Sequence, residues 1–256
     1  MTAKRIRWVV AVATVVAALT AGLVVWLTRD AETQQAAVLG EVLVSRDGRT
    51  LTTAVRWTPC QEAKPRLTAR ESSGSVTVAL REGSADLRHQ CASTPQLIST
   101  TLRSPLASRK LTDSGTGAAI TPFRATRLAI PRYLPSGYRM TNNVYPDDAG
   151  QRPVPSPFER TAEQGPVWTR FYSTPSGLPT LSITQISGTG PRGSVPGKYV
   201  SGEKVSFGGH LAYLDERSSD DRSIIWSDGT ETFIVNSANP RIAKAQLLQI
   251  ASHLAG

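Results

Sequence analysis

Cys60 and Cys91 are the only two cysteines, and their thiols offer two kinds of chemistry. In an oxidising compartment they can form a disulfide, which closes a loop of about 32 residues and stabilises the fold by roughly 3.7 kcal/mol on the chain-entropy estimate. They could instead bind a metal ion together with His89, two residues before Cys91. A structural zinc site needs four ligands, and no further cysteine and no neighbouring histidine completes one. We therefore predict a disulfide, in preference to free thiols or a metal site.

Two short motifs suggest enzymes but lack the required surroundings. Residues 188–193 match GxGxxG, yet the prolines that follow deny the helix on which a dinucleotide pyrophosphate would bind. Residues 201–204 spell SxxK without the SDN and KTG partners of penicillin-recognising enzymes. No Gly-x-Ser-x-Gly elbow occurs, and no ligand spacing links the three histidines, His89, His210 and His253. We predict no catalytic residue, no metal and no cofactor, and expect that the protein is not an enzyme.

Recognition is expected in two loops rather than in a catalytic cleft. A segment with five prolines spans residues 146–166, and a Gly/Pro-rich loop spans residues 188–199. Loops on a rigid scaffold carry function more often than core residues do. The candidate contact residues for a ligand or partner are Trp168, Tyr172, Arg192 and His210. Trp168 and Tyr172 share one strand face and are more often core residues. His210 follows two glycines, which favours a turn or sheet position over a general base.

Residues 8–28 form an uncharged stretch that follows three basic residues and precedes Arg29. As an α-helix this stretch would be about 31 Å long, which matches a hydrocarbon core of roughly 30 Å. Trp8 and Trp26 lie near its ends, where indole rings favour the membrane interface. The sequence therefore predicts a single transmembrane helix over residues 8–28, preceded by a cytoplasmic stub of residues 1–7.

The basic residues before this stretch predict its orientation. The positive-inside rule places the N-terminus in the cytoplasm, so the rest of the chain is expected outside the cytoplasm, with the lipid bilayer contacting residues 8–28. The alternative is a cleaved signal peptide, whose apolar region spans about 7–15 residues. Leu19-Thr20-Ala21 is a poor cleavage site, and cutting there would leave an apolar stretch on the product. An uncleaved anchor in the cell membrane is the favoured prediction.

Residues 38–121 show short segments of alternating polarity. EVLVSR and RTLTTAVRW flank Asp47-Gly48, and PRLTARE and SVTVALRE flank the turn at residues 72–74. Such strands, without a helical period, predict a small β-sandwich domain. A Pro-Leu-x-x-Arg run, an Asp and a Thr-Gly pair follow the cysteines, at Cys60, Cys91, Pro105, Leu106, Arg109, Asp113, Thr116 and Gly117. This pattern resembles a module of membrane-anchored proteins of high-GC Gram-positive bacteria. That family has no established activity, so the resemblance implies location and fold only.

Residues 122–256 predict an α+β domain, in which an antiparallel sheet is covered by a C-terminal helix. Asn239 is a suitable N-cap and Pro240 suits the first helical position. The motif residues here are 134–138, 208–212, 225–226 with 228–229, and 247–251. They resemble a bacterial domain of unknown function that is found outside the membrane on anti-sigma-factor and sporulation-related proteins.

The total charge limits the class of partner. The formal net charge is +9, but it includes no basic run, which is typical of a mixed solvated surface rather than a nucleic-acid interface. The sequence favours a non-enzymatic extracytoplasmic module that binds or senses a protein or an envelope ligand. The first alternative is a lipid or glycolipid carrier with an apolar cavity under the C-terminal helix, and the second is an envelope hydrolase.

Overall fold

The computed structural model describes residues 33–38, 41–57, 63–83, 94–141, 165–175, 177, 180–187, 202–216, 221–238 and 242–255. Within these ranges the secondary structure comprises eighteen β-strands, a short 3-10 turn at Ala125–Arg127 and one α-helix, α1, at Lys244–Ser252. The described part of the protein is therefore mostly β-structure with one C-terminal helix.

The predicted fold class, which begins with a single N-terminal transmembrane helix, is wrong as a description of this structure. In the described ranges no helix has the length and apolar character needed to cross a membrane. The helix α1 has nine residues. At ~1.5 Å per residue it spans about 14 Å, less than half of a hydrocarbon core of roughly 30 Å. Residues 8–28, on which the prediction depended, lie outside the described residues.

Nine strands between residues 33 and 124 form two sheets. They are β1 (Thr33–Ala36), β2 (Val42–Val44), β3 (Thr50–Trp57), β4 (Arg66–Glu71), β5 (Ser75–Gly83), β6 (Thr94–Thr101), β7 (Lys110–Asp113), β8 (Ala119–Ile120) and β9 (Phe123–Arg124). In the first sheet β5 pairs with β4 along one side and with β7 and β1 along the other, and β7 pairs with β8. The second sheet has the order β6-β3-β2-β9, in which β9 runs parallel to β2.

The two sheets pack on one shared apolar core, and together they are called the sandwich here. The core forms because apolar residues alternate with polar ones along the strands and point to one face. Val76, Val78 and Leu80 point inward from β5, and Val44 and Leu51 point inward from the second sheet. Burying each of these side chains contributes roughly 1.5–3 kcal/mol. The turn between β2 and β3 contains Gly48 at φ +74°, a conformation that glycine adopts without strain.

The predicted disulfide partners Cys60 and Cys91 lie outside the described residues. The pairing of β3 with β6 extends to Trp57 and Thr94, which are cross-strand partners. Partners of this kind have Cα atoms roughly 4.5–5.5 Å apart. The chain leaves this strand pair shortly before Cys60 and re-enters it shortly after Cys91. The disulfide stays a prediction, and the strand register is compatible with it.

The rest of the described chain forms a seven-stranded antiparallel sheet, here called the large sheet, a two-stranded ribbon and the helix α1. The strands are β10 (Ile130–Pro131), β11 (Arg139–Thr141), β12 (Val167–Ser173), β13 (Leu181–Ser187), β14 (Glu203–Phe207), β15 (His210–Glu216), β16 (Arg222–Ser227), β17 (Glu231–Ser237) and β18 (Leu254–Ala255). The large sheet has the order β11-β12-β13-β17-β16-β15-β14. The ribbon pairs β10 with β18 and ties the end of the described chain to the segment before the large sheet. The domain boundaries at residues 38–121 and 122–256 stay a prediction.

One face of the large sheet packs against α1 through Leu247, Ile250 and Ala251, which are all buried. Trp226 and Phe233 extend this core as a stacked pair with ring centroids 5.1 Å apart. The predicted helix start at Asn239-Pro240 is wrong. The helix begins at Lys244, and the Ala243 N–H donates to the Gln246 side-chain oxygen at 3.0 Å. Asn239 and Pro240 lie outside the described residues.

Candidate functional site

A cavity of about 310 Å³, named here the central cleft, lies where the second sheet meets the edge of the large sheet. The second sheet lines it with Leu43, Thr52, Leu97 and Ser99. Leu128, residues 140–141 and residues 168–171 line the other side. The volume is at the lower end of the range of roughly 300–1,000 Å³ that is usual for small-ligand pockets. The central cleft is therefore the candidate site.

Strand register explains why these residues of the second sheet share one face. Leu43 is paired with Thr52, and Thr52 is paired with Ser99, so all three point to the same side. Their neighbours Val44 and Leu51 point to the sandwich core. The outer face therefore carries leucines where a solvated sheet would carry polar residues. This apolar outer face is what brings the large sheet against the sandwich.

The apolar contact continues beside the cleft. Ala54 and Phe171 form a small buried cluster, and Leu97 and Ala238 pack against it. The cluster joins β3 and β6 of the second sheet to the large sheet. The walls of the central cleft are thus fixed by packing on both sides, which suits a preformed ligand pocket.

Arg170 is the one ionisable residue among the described residues that line the central cleft. Its Nη2 donates to the backbone oxygen of Ala129, while its buried Nε–H has no acceptor among the described residues. Burial lowers the pKa of the guanidinium, although arginine stays charged in proteins. Burial likewise raises the pKa of Tyr172, and the charge on Arg170 opposes that rise. The guanidinium is therefore held mainly by its contact with Ala129, and its Nε is closed off from the solvent.

Hydrogen bonds to the large sheet hold the segment that contains Ala129, whose backbone oxygen accepts from Arg170. Gln185 accepts from the Ala129 N–H at 2.9 Å and donates to the oxygen of Arg127 at 2.7 Å. The same amide donates to Glu231, which also forms an ion pair with Arg127 at 2.5 Å. Arg127 and Ala129 are therefore both held against the large sheet, which fixes Leu128 between them at the cleft.

Glu41 links the sandwich to the large sheet with a buried carboxyl group. Its Oε2 accepts from the Thr169 N–H at 2.6 Å, and its Oε1 lies 2.8 Å from the Thr169 hydroxyl. That hydroxyl is 2.9 Å from the hydroxyl of Thr184. The backbone oxygen of Glu41 accepts from Thr53 at 2.8 Å. Burial raises the pKa of Glu41 to about 7, against the opposing effect of the Thr169 hydrogen bonds.

The predicted contact residues lie in separate places. Trp168 lines the central cleft. Tyr172 is buried in the core under α1, and His210 begins β15 with its ring 6.1 Å from that of Phe207. Arg192 and the loop at residues 188–199 lie outside the described residues, as does nearly all of the proline segment, of which residues 165–166 are described. The sequence prediction missed Glu41 and Arg170.

The Pro-Leu-x-x-Arg run makes structural contacts. Leu106 is fully buried in the sandwich core. The Arg109 guanidinium donates to Glu71 at 2.9 Å and to the backbone oxygens of Ser104 and Pro105 at 2.6 and 2.9 Å. The Asp113 carboxylate accepts from Thr116 in the turn that follows β7. These residues shape the sandwich and stand apart from the central cleft.

A second cavity of about 230 Å³ is lined by Thr121, Pro122, Arg124, Arg127, Pro166 and Ser187. Both of its guanidinium groups have acceptors within the protein, since Arg124 donates to the oxygen of Ala107 and Arg127 pairs with Glu231. Among the described residues, no group of three His, Cys, Asp or Glu side chains could hold a metal ion.

Comparison of the chain with protein-family models, with curated proteins and with solved structures found no match.

Proposed function

We propose that this protein is a non-enzymatic binding module and that the central cleft holds a small ligand of the cell envelope. The observation that carries the proposal is the lining of the cleft. Leu43 and Leu97 of the second sheet line the cleft together with apolar residues of β11 and β12, and several threonine and serine residues lie among them. Mostly apolar pockets with a few polar groups are typical of ligand sites.

The ionisable groups support binding over catalysis. Arg170 is the one ionisable side chain among the described residues that line the cleft. An arginine does not exchange protons near neutral pH, so it is unsuited to general acid–base catalysis. The carboxyl group of Glu41 contacts Thr169 but already has two hydrogen-bonding contacts there. The hydrolase alternative therefore has less support than a binding role.

The packing under α1 bears on the carrier alternative. A carrier of the kind expected from the sequence would enclose its lipid between the helix and the sheet. Leu247 and Ile250 of α1 have no exposed surface, and they pack against sheet residues such as Ile183 and Val235. The central cleft lies away from this contact, between the two β units. A site at the junction of two rigid units supports a binding module rather than an enclosing carrier.

Filling the cleft tests the proposal. We expect 1-decanol, an uncharged single-chain probe, to bind the wild-type protein at one saturable site in isothermal titration calorimetry. Ser99→Trp should weaken this binding about tenfold or more, because the indole would occupy part of the cavity of about 310 Å³. Thr101→Trp is the matched control, since Thr101 is an exposed residue of β6 that does not line the cleft. Equal binding by S99W and the wild type, or no saturable binding by either, would contradict the proposal.

We also propose that the module works outside the cytoplasm, which makes a disulfide between Cys60 and Cys91 possible. Protein isolated from its own cells without reductant should then react with no maleimide under denaturing conditions. After reduction, two thiols should react, as counted by intact mass. Two reactive thiols before reduction would rule out the disulfide and leave the location without this support.

A further inference from the structure

We infer that protonation of Glu41 controls the central cleft. The sandwich and the large sheet stay in contact beside the cleft while this carboxyl group is protonated, and they separate there when it ionises. This inference rests on the proposed function, because it concerns the regulation of ligand binding in the same cleft. It follows from the position of Glu41 between the two units, from the lack of a cation that acts on it, and from the residues that this contact shares with the cleft.

The Glu41 side chain occupies the place of a strand partner for Thr169. The described part of β11 ends at Thr141, which pairs with Phe171, so the described strand pairing on that side of β12 stops short of Thr169. The Thr169 N–H donates instead to Oε2 of Glu41 at 2.6 Å, and the Thr169 hydroxyl is 2.8 Å from Oε1. Glu41 is only 4% exposed. The carboxyl group is therefore enclosed between the sandwich and the large sheet.

No described charged side chain compensates an ionised Glu41. The charged residues on the strands packed around it are Arg56 on β3, Arg124 on β9 and Arg170 on β12, and β13 carries none. Arg124 and Arg170 donate to backbone oxygens elsewhere, and none of the three contributes to the pKa of Glu41, which burial raises against the Thr169 hydrogen bonds. A buried carboxylate without a counter-ion is costly. Separation of the two units at this point would hydrate the carboxylate and remove that cost.

The contact between Glu41 and Thr169 also forms part of the central cleft. Thr169 lines the cleft, and so does Leu43, two positions after Glu41 in the chain. Phe171 lines the cleft as well and packs with Ala54 of the sandwich. Separation of β2 from β12 therefore moves the two walls of the cleft apart. A ligand that contacts both walls favours the closed arrangement, so by linkage it binds more tightly when Glu41 is protonated.

The direction of the pH effect follows from the pKa values of Glu41 in the closed and separated arrangements. The pKa is about 7 in the closed arrangement and returns towards the ordinary value of 4.5 when the carboxyl group is hydrated. The contact is therefore fully favoured below about pH 4.5 and is weakened as pH rises through about 7. From about pH 5.5 to 8.5, the ratio of separated to closed molecules should rise about 30-fold.

Amide hydrogen exchange followed by NMR measures this separation at the residue concerned. In the wild-type protein, we expect the protection factor of the Thr169 N–H to fall about 30-fold from about pH 5.5 to 8.5, because this amide exchanges when its contact with Glu41 opens. The Val78 and Ile225 amides lie in the buried cores of the two units and exchange only in wider unfolding. They should stay more strongly protected than Thr169 at every pH.

Two variants separate Glu41 from other titrating groups. E41Q keeps both contacts with Thr169 but cannot ionise, so its Thr169 protection factor should be the same at every pH. E82Q is the matched control, because Glu82 of β5 is partly buried, has a pKa that burial raises, and does not line the cleft. This variant should keep the pH dependence of the wild-type protein.

A ligand experiment tests the link to the cleft. The probe is 1-decanol, which does not ionise in this pH range. At ten times its Kd and about pH 8.5, it should raise the Thr169 protection factor of the wild-type protein about tenfold, because it binds the closed cleft.

Each outcome has a distinct meaning. A Thr169 protection factor that does not change with pH, or that equals those of Val78 and Ile225, would overturn the inference. Saturable 1-decanol binding that S99W weakens, without any effect on Thr169 exchange, would also overturn it and leave the proposed function standing. No saturable binding of 1-decanol would overturn both. Should E41Q fail to fold, the pH dependence of the wild-type protein and E82Q decides.

Discussion

Glu41→Gln will remove much of the pH dependence of stability between about pH 4.5 and 8. At pH 8 the variant will be more stable than the wild-type protein by up to about 3 kcal/mol. Glutamine keeps the shape of the buried side chain, its oxygen can accept from the Thr169 N–H, and its amide can donate to the Thr169 hydroxyl. The variant therefore keeps both contacts without a group that ionises.

The direction of this pH dependence of stability follows from the pKa values of Glu41 in the unfolded and folded states. In the unfolded chain its carboxyl group ionises near the ordinary value of 4.5, whereas burial raises the pKa in the folded protein to about 7. Between these values the folded state binds more protons than the unfolded state, so the free energy of unfolding falls as pH rises. This contribution is fully present below about pH 4.5 and is lost as pH rises through about 7.

The measurement is urea unfolding of both proteins at several pH values from 4.5 to 8. The difference between the two curves isolates Glu41 from other titrating groups such as Glu82, whose pKa is also raised by burial. Glu41→Ala serves as the second variant. It leaves the Thr169 N–H without its acceptor and should destabilise the protein by roughly 2–4 kcal/mol at pH 4.5. The difference between E41A and the wild type should become smaller towards pH 8, where the wild-type protein has lost the contribution of Glu41. A difference between E41Q and the wild type that does not change with pH would disprove the argument.

Asp113→Ala is expected to destabilise the sandwich by about 3 kcal/mol. The Asp113 carboxylate is buried and accepts from the Val38 N–H at 3.3 Å and from the Thr116 N–H and hydroxyl at 2.9 and 2.7 Å. Alanine removes the acceptor for all three donors, and a buried donor without an acceptor costs roughly 1–3 kcal/mol. The loss would detach the chain after β1 from the turn after β7.

Two variants and a pH series accompany this prediction. Thr116→Val removes one of the three donors and should cost about 1 kcal/mol, while Ser114→Ala, at an exposed site in the same turn, should stay within roughly 0.5 kcal/mol. Burial raises the pKa of Asp113, but the hydrogen bonds from Thr116 and nearby amides outweigh it and lower the pKa below its usual value. Its stabilisation is therefore present at neutral pH and lost as pH falls through that lowered pKa. If D113A unfolds at the same urea concentration as S114A, the carboxylate does not hold this turn.

The strands of both units could be predicted because local signals agree with the fold. The alternation of Val76, Val78 and Leu80 defines an inward face, and the turn at Asp47-Gly48 lies where the hairpin signal predicts it. The transmembrane helix in the predicted fold class was wrong. It rested on the uncharged length of residues 8–28, the basic residues before them and the tryptophans near their ends, all within residues that the structure does not describe.

The central cleft could not be predicted from the sequence, because it depends on which faces of the two sheets pack against each other. Leu43 and Leu97 are apolar residues on an outward face, and the sequence does not say that the large sheet covers them. Arg170 could have been singled out from the sequence, because it is a charged residue between Trp168 and Tyr172 on the same side of one strand. Glu41 directly precedes the buried strand Val42–Val44, but its partner Thr169 is 128 positions away, beyond the reach of any local pattern.

The ribbon between Ile130–Pro131 and Leu254–Ala255 has a consequence for biosynthesis. All described strands of the sandwich have been translated once residue 124 is reached. The sandwich can therefore fold co-translationally. The large sheet lacks both its covering helix and its closing ribbon until residues 244–255 have been translated. A nascent chain stalled before that point exposes the aromatic face of Trp226 and Phe233, and is the species that chaperones and proteases would meet.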